Sequence, residues 1–586
     1  MIFLCLFLKS IQWANRAKNF KNKAFRICII AALVLVILAG CVLGISSIRR
    51  TVRNVLSNVF PDRFPRYVYY VNNEARDTVS EMDFLLNDVR EVQINSERSY
   101  LVNHSRGFAV GFPVDAEYDF SAAQEFIKVK CSDFSCVVSK EYSTFGPSVE
   151  ESKKYVAECI NKYMLDEKYL KENNITLHKN DVETVGEYPV QIIALTRTPY
   201  EMSEVKDNTY VYCYIYKEDV LFYRLMFKAE SYTDELMNEV YKTLESFSEG
   251  VVVKGQSRTF TDFKPVLNEN WNEKTKDLYN DIKNSDECKW GVFVPRAVFL
   301  NNYQDVLSLE EKVDTKFSGV LEYMFLCDTV PKNGMKSAFD DGKVVELTLQ
   351  TANVMHANLN GHNPMFEIID GLYDEELAQM ARDIKSLENP VLFRLNNEMN
   401  SDWVGYSGLA CLNDPEIYVA VWRRIYNIFE KENVDNAIWV FNPNDETFPP
   451  NGYNTSLAYY PGNEYVHIFG ITGYNTGTYY AEEHGERWRT FDEIYESITE
   501  HSEANYGEFP WIITEFASSS YGGDKVYWIN DMFESLADYP HIKMAFWFNS
   551  ADYDERPEKE GQVARPYWFD ETPETTEAFK NGLKNK

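Results

Sequence analysis

The run PVLFRLNNEMNSDW, Pro390 to Trp403, begins as a buried strand and then turns polar: Val391 to Phe393 are apolar, and an arginine, three asparagines and a glutamate follow. Period-two alternation places Arg394, Asn396 and Glu398 on one side of this strand and Leu395, Asn397 and Met399 on the other. A charge inside a central strand is costly unless it is paired, so Arg394 needs an acceptor close by. Polar residues concentrated at the end of an apolar run are what a barrel strand carries when its C-terminal end presents chemistry.

Working outward, the run is the fourth of eight. The others are WGVFV at 290, GVLEYMFL at 319, VVELTLQT at 344, NAIWVFNP at 436, VHIFGITGYN at 466, PWIITEF at 510 and IKMAFWFNS at 542. Most gaps hold a helix, among them DEELAQMARDIKSLE before the fourth run and EIYVAVWRRIYNIFEK before the fifth. Eight strands alternating with helices predict an α/β fold, a (β/α)8 TIM barrel. The seventh run ends as the fourth does, with Glu515 after Trp511 to Thr514. Glutamates at the ends of strands four and seven face one another across the mouth. Such a pair suits glycoside hydrolysis, one carboxyl protonating the leaving group while the other attacks the anomeric carbon.

Upstream, RGFAVGFP, FIKVKCSD, SCVVSKEY, VQIIALTRT, TYVYCYIY and LFYRLMFKAE read as strands, with helical spacing in SVEESKKYVAECINKYML and TDELMNEVYKTLESF. This predicts an α+β domain over 60–250, joined by a linker and lead-in helix over 251–284 to the barrel of 285–586. Tyr210, Tyr212, Tyr214 and Tyr216 share one strand face. A stripe of this kind binds polysaccharide or packs against a neighbouring element, and packing is the preferred reading.

The net charge is -31, unevenly spread. Residues 1 to 50 hold eight basic residues and no acid, so 51 basic face 90 acidic residues in the remainder. That surface repels nucleic acid and leaves a neutral polymer unhindered. Ile27 to Ile45 is an uncharged apolar run of 19 residues with six basic residues before it. It predicts an N-terminal transmembrane helix over 27–48, behind a basic cytoplasmic segment at 1–26, with the catalytic half outside the cell membrane. LAGC at Leu38 to Cys41 offers a lipoprotein signal instead, which also leaves the protein membrane-held. The seven cysteines beyond the anchor have no metal-ligand spacing, though Cys131 and Cys136 could bridge adjacent strands. No CxxC, HExxH or glycine-rich phosphate loop is present, so neither metal nor cofactor is expected.

The stretch Ile368 to Trp403, followed by NAIWVFNPN, YYPGNEYVHIFGITGYN, PWIITEFASSSYGGDKVYWIND and IKMAFWFNS, resembles glycoside hydrolase family 26 over about residues 285 to 582. That family is dominated by β-mannanases within a clan of retaining (β/α)8 hydrolases. The resemblance implies that Glu398 is the general acid/base and Glu515 the nucleophile. It makes Tyr474 a hydrogen-bond donor to Glu515, Trp403 and Trp547 the sugar-stacking walls, and Arg394 a support beneath the carboxylates. Asn397 stands where the family usually has histidine; in the wider clan an asparagine here contacts the sugar 2-hydroxyl. His356 is a candidate substrate contact, although QTANVMH departs from the family's WH pattern. The expected activity is a membrane-held retaining endo-β-1,4-mannanase acting on mannan or glucomannan. Mixed-linkage β-glucan or β-1,3-xylan hydrolysis, or glycan binding with weak catalysis, are the alternatives.

Overall fold

The computed structural model describes residues 69–71, 74–76, 89–93, 95–143, 145–251, 261–299, 303–351, 362–554 and 556–584. Within it, eight parallel strands close a barrel in chain order: Lys289–Phe293, Gly319–Phe325, Val344–Gln350, Val391–Leu395, Ala437–Phe441, Ile468–Thr472, Trp511–Phe516 and Ile542–Phe548. They are barrel strands one to eight below. Every residue of strands four, five and six is buried, as a parallel sheet wrapped by helices requires. The helices read from the sequence form at Asp374–Lys385 and Pro415–Lys431. Asp414 caps the second, accepting from Glu416 N at 3.1 Å, and proline stands in its first turn.

Phe293, Leu321, Leu392, Ile438, Ile468, Ile512, Met544 and Phe546 belong to the core cluster of the barrel. Strand one makes room with Gly291, where a Cβ would sit 2.3 Å from the Phe546 ring. Trp271, Tyr279 and Ile282 join this cluster from the lead-in segment. The last two lie on the helix Glu273–Lys283, which Asn272 caps by accepting from Thr275 N at 3.0 Å. The Trp271 indole donates to Ala437 O at 3.2 Å, the first residue of strand five, so this segment seals the end of the barrel opposite the mouth.

The chain divides into two compact units. Met1–Val137 and Glu235–Phe260 form one. There Val89–Gln93, Arg98–Asn103, Phe108–Pro113 and Ser248–Glu249 build a four-stranded antiparallel sheet. The other unit joins Val138–Asp234 to Thr261–Lys586. Its added layer contains four antiparallel strands, Ile175–Val185, Tyr188–Arg197, Thr209–Lys217 and Val220–Ala229. Buried polar bonds weld this layer to barrel loops. The Arg197 guanidinium reaches both oxygens of Asp370, at 2.5 and 2.9 Å. Lys228 Nζ lies 2.7 Å from Asp414, and Arg224 donates to Asn413 O at 2.7 Å. Separating such groups would strand charges away from water, so the layer moves with the barrel. The tyrosine stripe is buried in the same layer, with Tyr212 donating to Leu412 O and Tyr214 to Asn161 Oδ1. It is packing, with no face left for a polymer.

Among the described residues no helix is long and apolar enough to cross a membrane, and the expected anchor at 27–48 lies outside them. Cys131 and Cys136 are buried free thiols.

Candidate active site

Glu398 reaches the barrel mouth through an irregular turn after its strand, and Glu515 by a break in the alternation of its own. Strand four ends at Leu395, and Asn396 and Glu398 take left-handed backbone, φ 50° and 57°. Such residues cost about 1–3 kcal/mol each and persist only where the surroundings hold them. Here Asn396 N donates to Leu349 O at 2.9 Å and Glu398 N to Asn442 O at 2.8 Å. The turn reverses the expected faces of the two asparagines. Asn396 Oδ1 accepts from Thr351 N at 2.8 Å, whereas Asn397 faces the mouth beside Arg394 and donates to Glu515 Oε1 at 3.1 Å. On strand seven the pairing skips a residue: Ile471 opposes Ile513, but Thr472 opposes Glu515. This bulge turns Glu515 inward immediately after Thr514, whose hydroxyl donates to Ile471 O at 2.9 Å.

Four donors then aim Glu515. Arg394 Nη1 at 2.7 Å and Asn397 Nδ2 at 3.1 Å meet Oε1, while Tyr323 at 2.5 Å and Tyr474 at 3.0 Å meet Oε2. Asn397 is itself held, its Oδ1 accepting from Gln350 at 3.0 Å and Tyr406 at 3.1 Å. Arg394 is fully buried and donates also to Thr348 Oγ1 at 2.7 Å and Asn442 Oδ1 at 2.8 Å. Its Nε lies 3.0 Å from Glu346 Oε1, so the guanidinium stands between two carboxylates. Burial pushes the Glu346 carboxyl up to about 8 against the pull of Arg394.

Glu398 has a different setting. Burial first, then the neighbouring Glu515 charge, pushes its carboxyl up to about 8, and a hydrogen bond from the Trp403 indole, 3.3 Å to Oε2, opposes the rise. Trp403 is 38% exposed and its ring lies 5.5 Å from that of Phe448, also exposed. Asp445, on the loop after strand five, is bonded by Arg489 at 2.8 Å, and Arg489 also donates to Tyr474 O at 2.7 Å, which fixes that tyrosine's backbone.

Arg394, Asn397, Glu398, Trp403, Tyr474 and Glu515 therefore gather in one place. Trp547 does not join them. It is wholly buried, donates to Tyr567 O at 2.9 Å, and packs on Phe516, Trp528 and Phe579. Alternation along strand eight explains this: Met544 and Phe546 point into the barrel, so Trp547 points out and Phe548 back in. Phe548 stacks on Phe293 at 4.5 Å and meets Tyr474 edge-on at 5.8 Å. His356 lies outside the described residues. Tyr323, Glu346 and Phe548 were not read as site residues from the sequence. Each carried a usable signal, since all three share inward parity with a neighbour two positions away: Leu321, Thr348 and Phe546 respectively.

The chain is 35% identical over 189 residues to endoglucanase H of Acetivibrio thermocellus, a match covering 31% of this chain and 20% of that protein. It is 31% identical over 112 residues to mannan endo-1,4-beta-mannosidase of Bacillus subtilis, covering 18% and 29%. The matches thus span less than a third of the length of these curated relatives. Solved structures resembling it include the catalytic domain of the Bacillus sp. JAMB-750 endo-beta-1,4-mannanase, 17% identical with TM-score 0.41, covering 55% of this chain and 93% of that one. Another is a β-mannanase from Bacteroides ovatus, 13% identical with TM-score 0.39, covering 53% and 93%. The model of glycosyl hydrolase family 26 matches residues 348–521, from the third barrel strand to just past the seventh. Both glutamates lie within that match to the glycosyl hydrolase family 26 model.

Proposed function

We propose that the barrel is a retaining endo-β-1,4-mannanase acting on mannan or glucomannan, held at the outer face of the cell membrane by the apolar run Ile27 to Ile45. One observation carries the chemistry: two neighbouring carboxyls in opposed settings, Glu515 gripped by four donors and Glu398 with its proton affinity raised. In the first step Glu398 gives its proton to the glycosidic oxygen while a Glu515 oxygen forms a bond to the anomeric carbon, releasing the leaving-group end of the chain. In the second, Glu398, now a carboxylate, takes a proton from water. The resulting hydroxide attacks the same carbon, and the Glu515 carboxylate departs. Tyr323, Tyr474, Arg394 and Asn397 keep the nucleophile aimed, so little reorganisation is needed as charge leaves it.

A second reading, hydrolysis of a mixed-linkage β-glucan, is favoured by two observations. Asn397 rather than histidine stands beside Glu398, where the 2-hydroxyl that separates mannose from glucose would be contacted, and one relative is an endoglucanase. Reducing-sugar release from β-mannan, glucomannan, lichenan and β-1,3-xylan, with Glu515→Ala as control, decides between them. Proton NMR of the first product anomer checks retention. Mannan cleavage abolished by Glu515→Ala is expected; cleavage of lichenan alone would move the assignment to the second reading. Binding without turnover of any of the four would leave a glycan receptor.

A further inference from the structure

The layer welded to the barrel also reaches the rim of the site. Its helix Val149–Tyr155 runs directly into a π-helical turn, Val156–Ile160, a rare local geometry that recurs at functional positions. Just beyond the turn, Lys162 Nζ lies 3.3 Å from Asp402 Oδ2, next in the chain to Trp403, and 5.0 Å above the Tyr163 ring. Tyr155 hydrogen-bonds Asn451, and Glu141 accepts from Gly452 N at 2.8 Å, so the same layer braces the loop that carries Phe448. None of these layer residues falls within the family match.

We propose that Lys162, Tyr163 and Asp402, continuing from the Trp403 and Phe448 rings, form a distal sugar-binding ledge that takes a further pyranose of a neutral β-linked glycan. This rests on the reading of the barrel as a glycan site. Aromatic faces cover the apolar side of a sugar ring, while an ammonium and a carboxylate offer donors and acceptors to its hydroxyls. The ion pair is partly exposed, so it adds no more than about 1 kcal/mol to stability and its groups remain free to bond a ligand. Because Asp402 neutralises Lys162, the ledge carries no net charge and selects a neutral hexose over a uronic acid.

The test is calorimetric titration of the full chain, detergent-solubilised, with β-1,4-linked manno- and gluco-oligosaccharides from trisaccharide to hexasaccharide, for the unmutated protein and for Lys162→Ala and Asp402→Ala. The unmutated protein is expected to bind the hexasaccharide more tightly than the trisaccharide. Lys162→Ala should weaken the hexasaccharide about tenfold and the trisaccharide less than about twofold, with an unchanged melting temperature. Equal losses at every length, no loss at all, or no binding of any oligosaccharide would overturn the ledge. Length-dependent binding that needs Lys162, in a protein that cleaves no glycan, would sustain the ledge and overturn the hydrolase reading. Turnover with no length effect in Lys162→Ala would do the reverse.

Discussion

Arg394 and Glu346 form a fully buried pair, Nε to Oε1 3.0 Å, directly beneath the Glu515 carboxylate. Glu346 thus shares with Glu515 the only cation in contact with either of them among the described residues, and Glu346→Gln should change how firmly Arg394 holds Glu515. The expected outcome is a several-fold lower kcat with KM nearly unchanged, since aim and not sugar contact is altered. Stability adds a signed check. The raised carboxyl of Glu346 favours the folded state most below the ordinary carboxylate range, and that contribution is lost as pH rises toward about 8. Glu346→Gln should flatten this decline in denaturant titrations between pH 5 and 8; an equally steep decline would show that Glu346 does not titrate in this way.

The Trp403 indole opposes the raised proton affinity of Glu398. Trp403→Phe removes the N–H and keeps an aromatic wall. The alkaline limb of kcat/KM, which reports the free-enzyme acid, should therefore move to higher pH. A limb that stays in place or shifts to lower pH would remove Glu398 as its source.

Glu398→Ala should lower turnover of unactivated glycan by about 10²–10⁴-fold, the usual contribution of a general acid. Aryl glycosides with acidic phenol leaving groups should lose far less in glycosylation, because they depart without a proton. Equal losses on both substrate classes would mean that Glu398 supports the fold or the binding of sugar instead.

Trp547 and Phe548 separate packing from binding. Trp547→Ala should cost about 3–5 kcal/mol of stability, as for other large buried aromatics. Phe548→Ala should raise KM with a smaller stability loss, because one side of its ring faces the mouth. Denaturant midpoints and steady-state kinetics on both variants check the assignment, and a KM effect confined to Trp547→Ala would restore the sequence-based choice.

The barrel was legible because each strand is an apolar run long enough to cross it; Glu398, Glu515 and Arg394 stood out at the ends of those runs, whereas Tyr474 was reached only through the family resemblance. What was not legible follows from local backbone. Strict alternation places Asn396 with Glu398 on one face, but two left-handed residues turn Asn397 inward instead. Strand seven escapes the same rule through its bulge, whereas strand eight obeys it and so buries Trp547. The commitment of Arg197, Arg224 and Lys228 to barrel partners was not legible either, because each partner lies well over a hundred residues later in the chain.

The seal made by Trp271, Tyr279 and Ile282 has a temporal meaning. These residues precede the first barrel strand in the chain, yet their cluster includes Met544 and Phe546 of the last. During synthesis the stopper is made first and its seat is finished only when strand eight emerges, so the apolar face of the helix Glu273–Lys283 is fully covered only at the end of the translation of the barrel. Closure of the ring and closure of its floor are then one event, joining contacts of very long sequence separation, which places this barrel among the slow folders.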